Sequence, residues 1–442
     1  MKYIRMFYRL IIIMFVAGSI NLHAANNAEK KGYLDKTYHI SASGNLNLSS
    51  TYSDIEIFTW DRNEVKITGE LTYESVNEED ARKLLDAFKN SIEAKTSNNS
   101  LELTSNLFEW TIKRIWFKSN VVMTLNNGYE MPPGAKIKTS YKLWIPESLS
   151  VTLNSKYGSV NMANIKGNVN LTLQKVDLKM GDYGSYGAFD MGFSTATIGN
   201  GGSSVFKLSN SKVNVAAIGH TTIDTHYSTI NIKEALDVQV NSSNDSFVFG
   251  SLNNINTKAR YSTFIIEDDA ENSKFDLYNT NIFSKDFKSM EVSAQFSKFN
   301  VKNIGSITIL SSYSNRFETS TVNTITCKNS KHDKFRLGQV FISAEFNEAQ
   351  DSEVNIIKTG PSFKLFSGNF KDGGIYIKLD PAIQFVLNYQ STHGNIDIQT
   401  DRLKSIIIPD KNNPTKTFEG STDSNAKCNI KFTAYSTAVK IE

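Results

Sequence analysis

The chain has almost none of the residues that would let cross-links or metal hold it together. Cys327 and Cys428 are the only cysteines among 442 residues, and there are six histidines. That rules out a disulfide framework and leaves no paired Cys/His spacing for zinc, so stability must come from burial. Charge of one sign is also missing. The formal +3 comes from Lys2, Arg5 and Arg9, without which 45 basic residues face 45 acidic ones. A neutral chain without basic blocks argues against a nucleic-acid partner. Long apolar runs are absent too: the run Leu10 to Ala17 is well short of the ~20 residues that span a bilayer. Flanked by those three basic residues and by small residues ending at Ala24 or Ala25, it reads as a secretory signal over 1–24. The mature chain is therefore expected to be exported, to the periplasm, the outer surface or the medium. It should have no transmembrane segment and no cofactor.

What the chain does have is a period. From Ser211 onward one pattern returns about every 17 to 21 residues: SKVNV at Ser211, YSTINI at Tyr227, NDSFVF at Asn244, YSTFII at Tyr261, FSKFNV at Phe296, HDKFRL at His332, DSEVNI at Asp351 and HGNIDI at His393. In each copy two apolar residues stand two apart, as in Val213 and Val215, Phe247 and Phe249, or Ile375 and Ile377, which puts both on one face of a strand. About half a period later comes a second pair, such as Val238 and Val240, Ile325 and Cys327, Phe363 and Leu365, or Ile406 and Ile408. Units this small bury their inward side chains only by stacking like positions one strand spacing apart. The fold expected is all-β, a parallel β-solenoid of about 16 coils, on the order of 75 Å long. Ser, Asn, Asp and Gly at the turns suit side chains that satisfy corner backbone groups. If coils stack in chain order, Cys428 lies about five coils, or on the order of 24 Å, beyond Cys327. Both thiols should then be free, against a disulfide limit near 7 Å between Cα atoms.

Three regions are expected: the signal at 1–24, a capping region at 25–140, and the repeat domain at 141–442. An early copy of the motif, YSDIEI from Tyr52, lies in the capping region. So does one helix over 77–92, with Asn77 as its N-cap, Glu78, Glu79 and Asp80 in the first turn, and Leu84, Leu85, Phe88 and Ile92 on one face. Laid over the first coil, it would protect an open strand edge. The glycine-rich stretch Gly181 to Ser204 lacks the strand-to-helix context of a phosphate loop and reads as loose turns or a protruding loop.

The segment YKLWIPESLSVTLNSKYGSVNMANIKGNVNLTL, Tyr141 to Leu173, resembles the entry of bacterial putative-adhesin domains of the auto-transporter adhesin head type. There an apolar strand ends in Pro, a second strand follows, and a Tyr-Gly turn opens the coils. The resemblance implies a right-handed solenoid on the exported side of a bacterial envelope. It brings no catalytic residues with it.

The residues that would carry function are aromatic. Tyr157, Tyr227, Tyr261 and Phe296 each stand three before the first inward residue, so stacking aligns them, either outward as a flat track for sugar rings or inward as a corner stack. LFEWTIKRIWFK from Leu107, with Trp110 and Trp116 among Lys113, Arg114 and Lys118, is either a strand or hairpin packed on the first coils or an exposed lip for a glycan or an anionic membrane surface. Asp268, Asp269 and Glu271 form an acidic turn whose oxygens could hold Ca²⁺, or a solvated turn. Asp224, His226 and nearby His220 could pair as base and orienter, or be ordinary strand neighbours. A glycosidase needs two carboxylates ~5 to 9.5 Å apart, yet the outward positions between the apolar pairs run Asn214, Asn231, Val248, Ile265, Asn300, Glu318, Arg336, Asn355, Tyr376 and Asp397, with no two acids adjacent. The reading is a non-catalytic, adhesin-like binding or structural protein whose partner is a glycan or an envelope or cell-surface protein. A β-helix polysaccharide lyase or glycosidase is the first alternative, and an envelope sensor or assembly component that binds protein is the second.

Overall fold

Inward residues two apart make strands that stack in parallel with like positions in register. Val213, Ile230, Phe247, Phe264, Ile282, Phe299, Phe317, Phe335, Val354 and Ile375 form one buried column. The computed structural model describes residues 30–442 apart from 75, 98, 116–117, 399–401 and 408–414. The expected signal, Trp116 and Ile408 lie outside those residues. The molecule is a β-solenoid of about 13 turns of around 18 residues, not the 16 coils expected, because chain at both ends closes the stack with antiparallel strands instead of extending it. Phenylalanines stack up its core at close to the strand spacing: Phe247 on Phe264 at 4.5 Å between ring centres, Phe299 on Phe317 at 4.7 Å and Phe317 on Phe335 at 4.9 Å.

Three details depart from the sequence reading. One coil, Asn281–Gln295, carries Ile282 and Ser284 at the inward places. The serine breaks the apolar pair, so the coil escapes a search for pairs, and its outward residue Phe283 joins Val248 and Ile265 in an apolar strip. In the coil after Val354 the strand Leu365–Lys371 turns Phe366 and Phe370 inward, while Leu365 is half-buried. Gly181 to Ser204 is not a loop. It forms the regular strands Tyr186–Gly192, Thr195–Gly201 and Ser203–Ser209. Its glycines make room for the buried ring of Tyr183: a Cβ on Gly201 would meet Tyr183 Cζ at 1.9 Å, and one on Gly187 would meet Cε2 at 2.6 Å.

Both ends are closed by chain that stacks out of sequence order. At the N-terminal end, Asn45–Thr51 and Ser53–Trp60 form the first coil, directly beneath Ser150–Met162. Lys30–His39, Glu64–Glu74 and Lys136–Pro146 continue the sheet below, with antiparallel partners. The helix Glu78–Lys89 has the expected cap, Asn77 accepting from the Asp80 N–H at 2.9 Å. It buries Ala81, Leu84, Ala87 and Phe88, while Leu85 is half-buried and Ile92 belongs to the following strand. Phe88 lies on Tyr141 at 6.3 Å, so the helix covers this end of the core.

At the other end the chain overtakes itself. Cys428–Tyr435 and Ala438–Ile441 lie between the coil of Leu365–Lys371 and Gly374–Ile377 and the coil of Phe385–Thr392 and Ile396–Ile398. The antiparallel strand Thr415–Ser421 then seals Phe385–Thr392. This corrects the position of the cysteines. Register carries Thr324 to Ser343, Leu365 and Asn429, so the strand of Cys428 is three levels above that of Cys327, about 14 Å, not five. Both thiols are free and buried.

Candidate functional site

One corner of the coil is sharper than the others. Among the described residues, sixteen non-glycine residues have positive φ, between 47° and 64°, and they fall one per level. Thirteen of them run consecutively from Tyr157 to Asp372; Tyr52 lies below, and Ser436 and His393 above. The left-handed region costs an L-residue roughly 1–2 kcal/mol and suits Gly, Asn and Asp. Asn210, Asn244, Asn279, Asp351 and Asp372 are the relaxed members of this series; Tyr157, Phe193, Tyr227, Tyr261, Phe296 and His332 are not.

The next residue on each level points inward and holds the corner together. Val176, Ser194, Ser211, Ser228, Asp245, Ser262, Thr280, Ser297, Asn315 and Asp333 each donate a backbone N–H to the side-chain oxygen of the next residue in that series, ending on Ser352, at 2.7–3.4 Å. The serines and Thr280 donate their hydroxyls to the carbonyl two residues back. Asp245 and Asp333 instead accept the N–H two residues back, from Ser243 at 2.8 Å and Lys331 at 3.1 Å. Burial is the larger influence on both carboxyls and raises them above the ordinary aspartate value, against the pull of these hydrogen bonds.

This corner turns the aromatic row outward: Tyr227 is 62% exposed, Tyr261 52% and Phe296 46%. Between the aromatic corners, the residue just before the corner supplies a ring instead. Tyr261, Tyr278, Phe296, Tyr313 and His332 thus follow one another on five successive levels, edge to face at 5.3–5.6 Å. The zigzag gives each ring the edge-on approach that rings prefer over a face-to-face sandwich. Tyr278 and Tyr313 escaped the sequence reading because they stand one place off the row. At the N-terminal end the same corner continues as Tyr157 stacked on Tyr52 at 4.7 Å and Tyr52 on Phe108 at 5.4 Å, with Lys175 over Tyr157 at 5.1 Å. Phe108 is the buried foot of a hairpin, Phe108–Ile115 with Lys118–Leu125, that forms a sheet of its own. Its exposed face presents Trp110, Ile112 and Val121, so row and lip share one edge of the molecule.

Beside the ridge lies a cavity of about 530 Å³ lined by Lys258, Arg260, Tyr261, Asp276, Tyr278, Ser293 and Gln295. A larger groove of about 890 Å³ runs along another face, but its walls are occupied with one another. His220 Nδ1 meets Asp237 at 2.7 Å, Asn254 bonds Asp237, Asn272 bonds Asn254 at 3.0 Å, Ser289 bonds Asn272 at 2.8 Å, and Lys274 pairs with Glu291 at 2.9 Å. His220 therefore pairs across coils, with an aspartate that spacing did not single out. Asp224 bonds Asn241 at 3.2 Å, and His226 lies edge-on to Tyr227 at 6.1 Å. Asp268, Asp269 and Glu271 are exposed, and Glu271 is held by Lys288 at 2.7 Å. Among the described residues no three His, Cys, Asp or Glu side chains converge as metal ligands. The structure does bring two acids onto adjacent levels, Asp269 and Asp286. Asp286 is bonded by Asn303, and neither acid lines the two larger cavities.

No family model matches the chain, and no curated protein matches it. Among solved structures it is similar to a "putative cell adhesion protein" from Clostridium sporogenes, at 10% identity over 93% of this chain and 99% of that one, TM-score 0.16. It is also similar to a "putative adhesin" from Bacteroides fragilis, at 8% identity over 93% and 97%, TM-score 0.17, and to a "putative lipid binding protein" from Parabacteroides distasonis, at 10% identity over 79% and 92%, TM-score 0.18. At such scores the likeness carries neither fold nor function to this chain. No helix among the described residues is long and apolar enough to cross a membrane.

Proposed function

We propose that this is an exported, non-catalytic, adhesin-like solenoid that binds a glycan lying along its aromatic ridge. The observation that carries the reading is the run of five rings from Tyr261 to His332 on the corner edge. At three of those levels an aromatic residue occupies a left-handed position that Asn holds without strain elsewhere in the series. Strain kept at exposed rings, where burial offers no compensation, points to use. Because neighbouring rings stand near-perpendicular, alternate rings share an orientation, two coil spacings or ~9.6 Å apart, so every second sugar of an extended chain meets a ring face while its hydroxyls remain in water. A non-catalytic role fits the remaining acids. Asp269 and Asp286 line neither cavity, and the backbone N–H groups at Gly202, Ser203 and Ser204, beside His220, are spent in the ladder and not offered to an oxyanion. The exposed hairpin face at Trp110, Ile112 and Val121 favours a second contact, with an envelope or cell-surface protein.

The test is a glycan array and a reducing-sugar assay on the same polysaccharides, using residues 25–442. Binding without product, lost in the double variant Tyr261→Asn and Phe296→Asn, is the expected result. Product release, or binding unchanged in that variant, overturns it. Capture of an envelope protein that is lost in Trp110→Ala would assign the hairpin contact.

A further inference from the structure

Lys258 and Arg260 lie at the mouth of the cavity beside the ridge, three residues and one residue before the Tyr261 corner. At the far end of the ridge the charges are matched, His332 with Asp351 and Lys334 with Glu353. Among the described residues, neither the Lys258 ammonium nor the Arg260 guanidinium has an ion-pair or hydrogen-bond partner. Both are exposed, and Arg260 is in register with Tyr278, the second ring of the ridge. Asp276 stands next to Lys258 in register and also lines the cavity, so the three charges leave a net positive one. Gln295 and Ser293 complete the rim with neutral hydrogen-bonding groups.

Resting on the glycan reading above, we infer that this cavity takes an acidic sugar residue, a uronate, at the Tyr261 end of the bound chain. The ring lies against Tyr261 and Tyr278, and its carboxylate meets the Arg260 fork, whose planar geometry suits two parallel hydrogen bonds to a carboxylate. Lys258 adds a second positive charge at the mouth, while Asp276 and Gln295 accept from or donate to sugar hydroxyls. An unpaired Arg beside an open pair of rings is what separates this cavity from the larger groove, where charges are neutralised in pairs and a carboxylate would find no free partner.

Isothermal titration of residues 25–442 with galacturonate, glucuronate and mannuronate tetramers, each beside its carboxyl-reduced neutral form, tests this. The wild type should bind at least one acid form about tenfold more tightly than its reduced twin, the effect of one charge-assisted contact. Arg260→Gln should bring the two to the same affinity while leaving that for the neutral form unchanged. Equal affinities in the wild type, or an equal loss of both forms in Arg260→Gln, overturn the inference but spare the ridge. If Tyr261→Asn with Phe296→Asn leaves binding of both forms intact, the ridge reading fails, and this inference fails with it.

Discussion

If the ridge binds glycan as proposed, its corner residues set binding against stability one side chain at a time. Asn210, Asn244 and Asn279 show what the backbone would choose at this place. Replacing Tyr227 by Asn should therefore raise unfolding stability, by about 1 kcal/mol in urea, as the left-handed cost is relieved. In Tyr261→Asn the same gain should come with loss of glycan binding. A loss of stability at Tyr227 would mean that the ring earns its place by packing. The inward corner acids make a separate prediction. Burial raises the Asp245 and Asp333 carboxyls in the folded chain, so the unfolded chain, near 3.9, ionises first. Their contribution is whole below the unfolded value and falls away as pH rises through the raised folded one. Asp245→Ser with Asp333→Ser, which uses the side chain the other corners use, should flatten that fall above the unfolded aspartate value in urea titrations. Asp333→Ala should be worse at every pH, because the Asn315 N–H loses its acceptor inside the corner. A pH slope unchanged in the double serine variant would show that these carboxyls do not set it.

Each coil touches only its two neighbours, and this governs how damage spreads. Phe317 is the middle of the stack Phe299, Phe317 and Phe335, and Phe317→Ala should cost about 3–5 kcal/mol. In a one-dimensional stack the loss stays local. Hydrogen exchange should rise in Lys298–Tyr313, Arg316–Cys327 and Lys334–Gln350 and hold elsewhere; loss of protection along the whole rod would contradict this. The same locality explains what could be read from the sequence. Inward pairs, polar corners and the outward Tyr and Phe row repeat at a fixed offset along the chain, so neighbouring copies reveal their own stacking. Ser284 hid a coil because a hydroxyl stood in an apolar place. Tyr278 and Tyr313 were hidden by a shift of one residue, and His220 with Asp237 because their pairing is visible only once the register between levels is known. Tyr183 hid the strands of Gly181 to Ser204: glycines that accommodate a buried ring look, in one dimension, like a loop.

At the scale of the whole molecule, the two ends follow different rules from the middle. The end caps are built from residues 30–149 below and 365–442 above, and their stacking order is not their order in the chain. No period predicts that, because it depends on which edges are left open once the regular coils have formed. Removing residues 428–442 takes away the level on which both the strand Phe385–Thr392 and the strand Ile396–Ile398 rest. Such a truncation should lose exchange protection from 365 onward and associate through the bared edge in size-exclusion chromatography. A monomer with its protection intact would show that the inserted level is dispensable. Native thiol labelling should detect neither cysteine, since burial pushes Cys428 up to about 12 and Cys327 higher still.

The overtaking C-terminus also gives the molecule an order of assembly in time. A chain threaded out of a membrane or a ribosome from its N-terminal end can wind its coils one after another as they emerge. The strand Phe385–Thr392, however, must wait beside the growing rod, because the level beneath it is made of residues that arrive later. The Ile441 strand slips in last, with the Glu442 carbonyl accepting from the Leu379 N–H. Completion of the upper end therefore reports that residues 428–442 have been delivered. An interrupted chain carries an open edge, the feature by which proteases and chaperones tell unfinished products from finished ones.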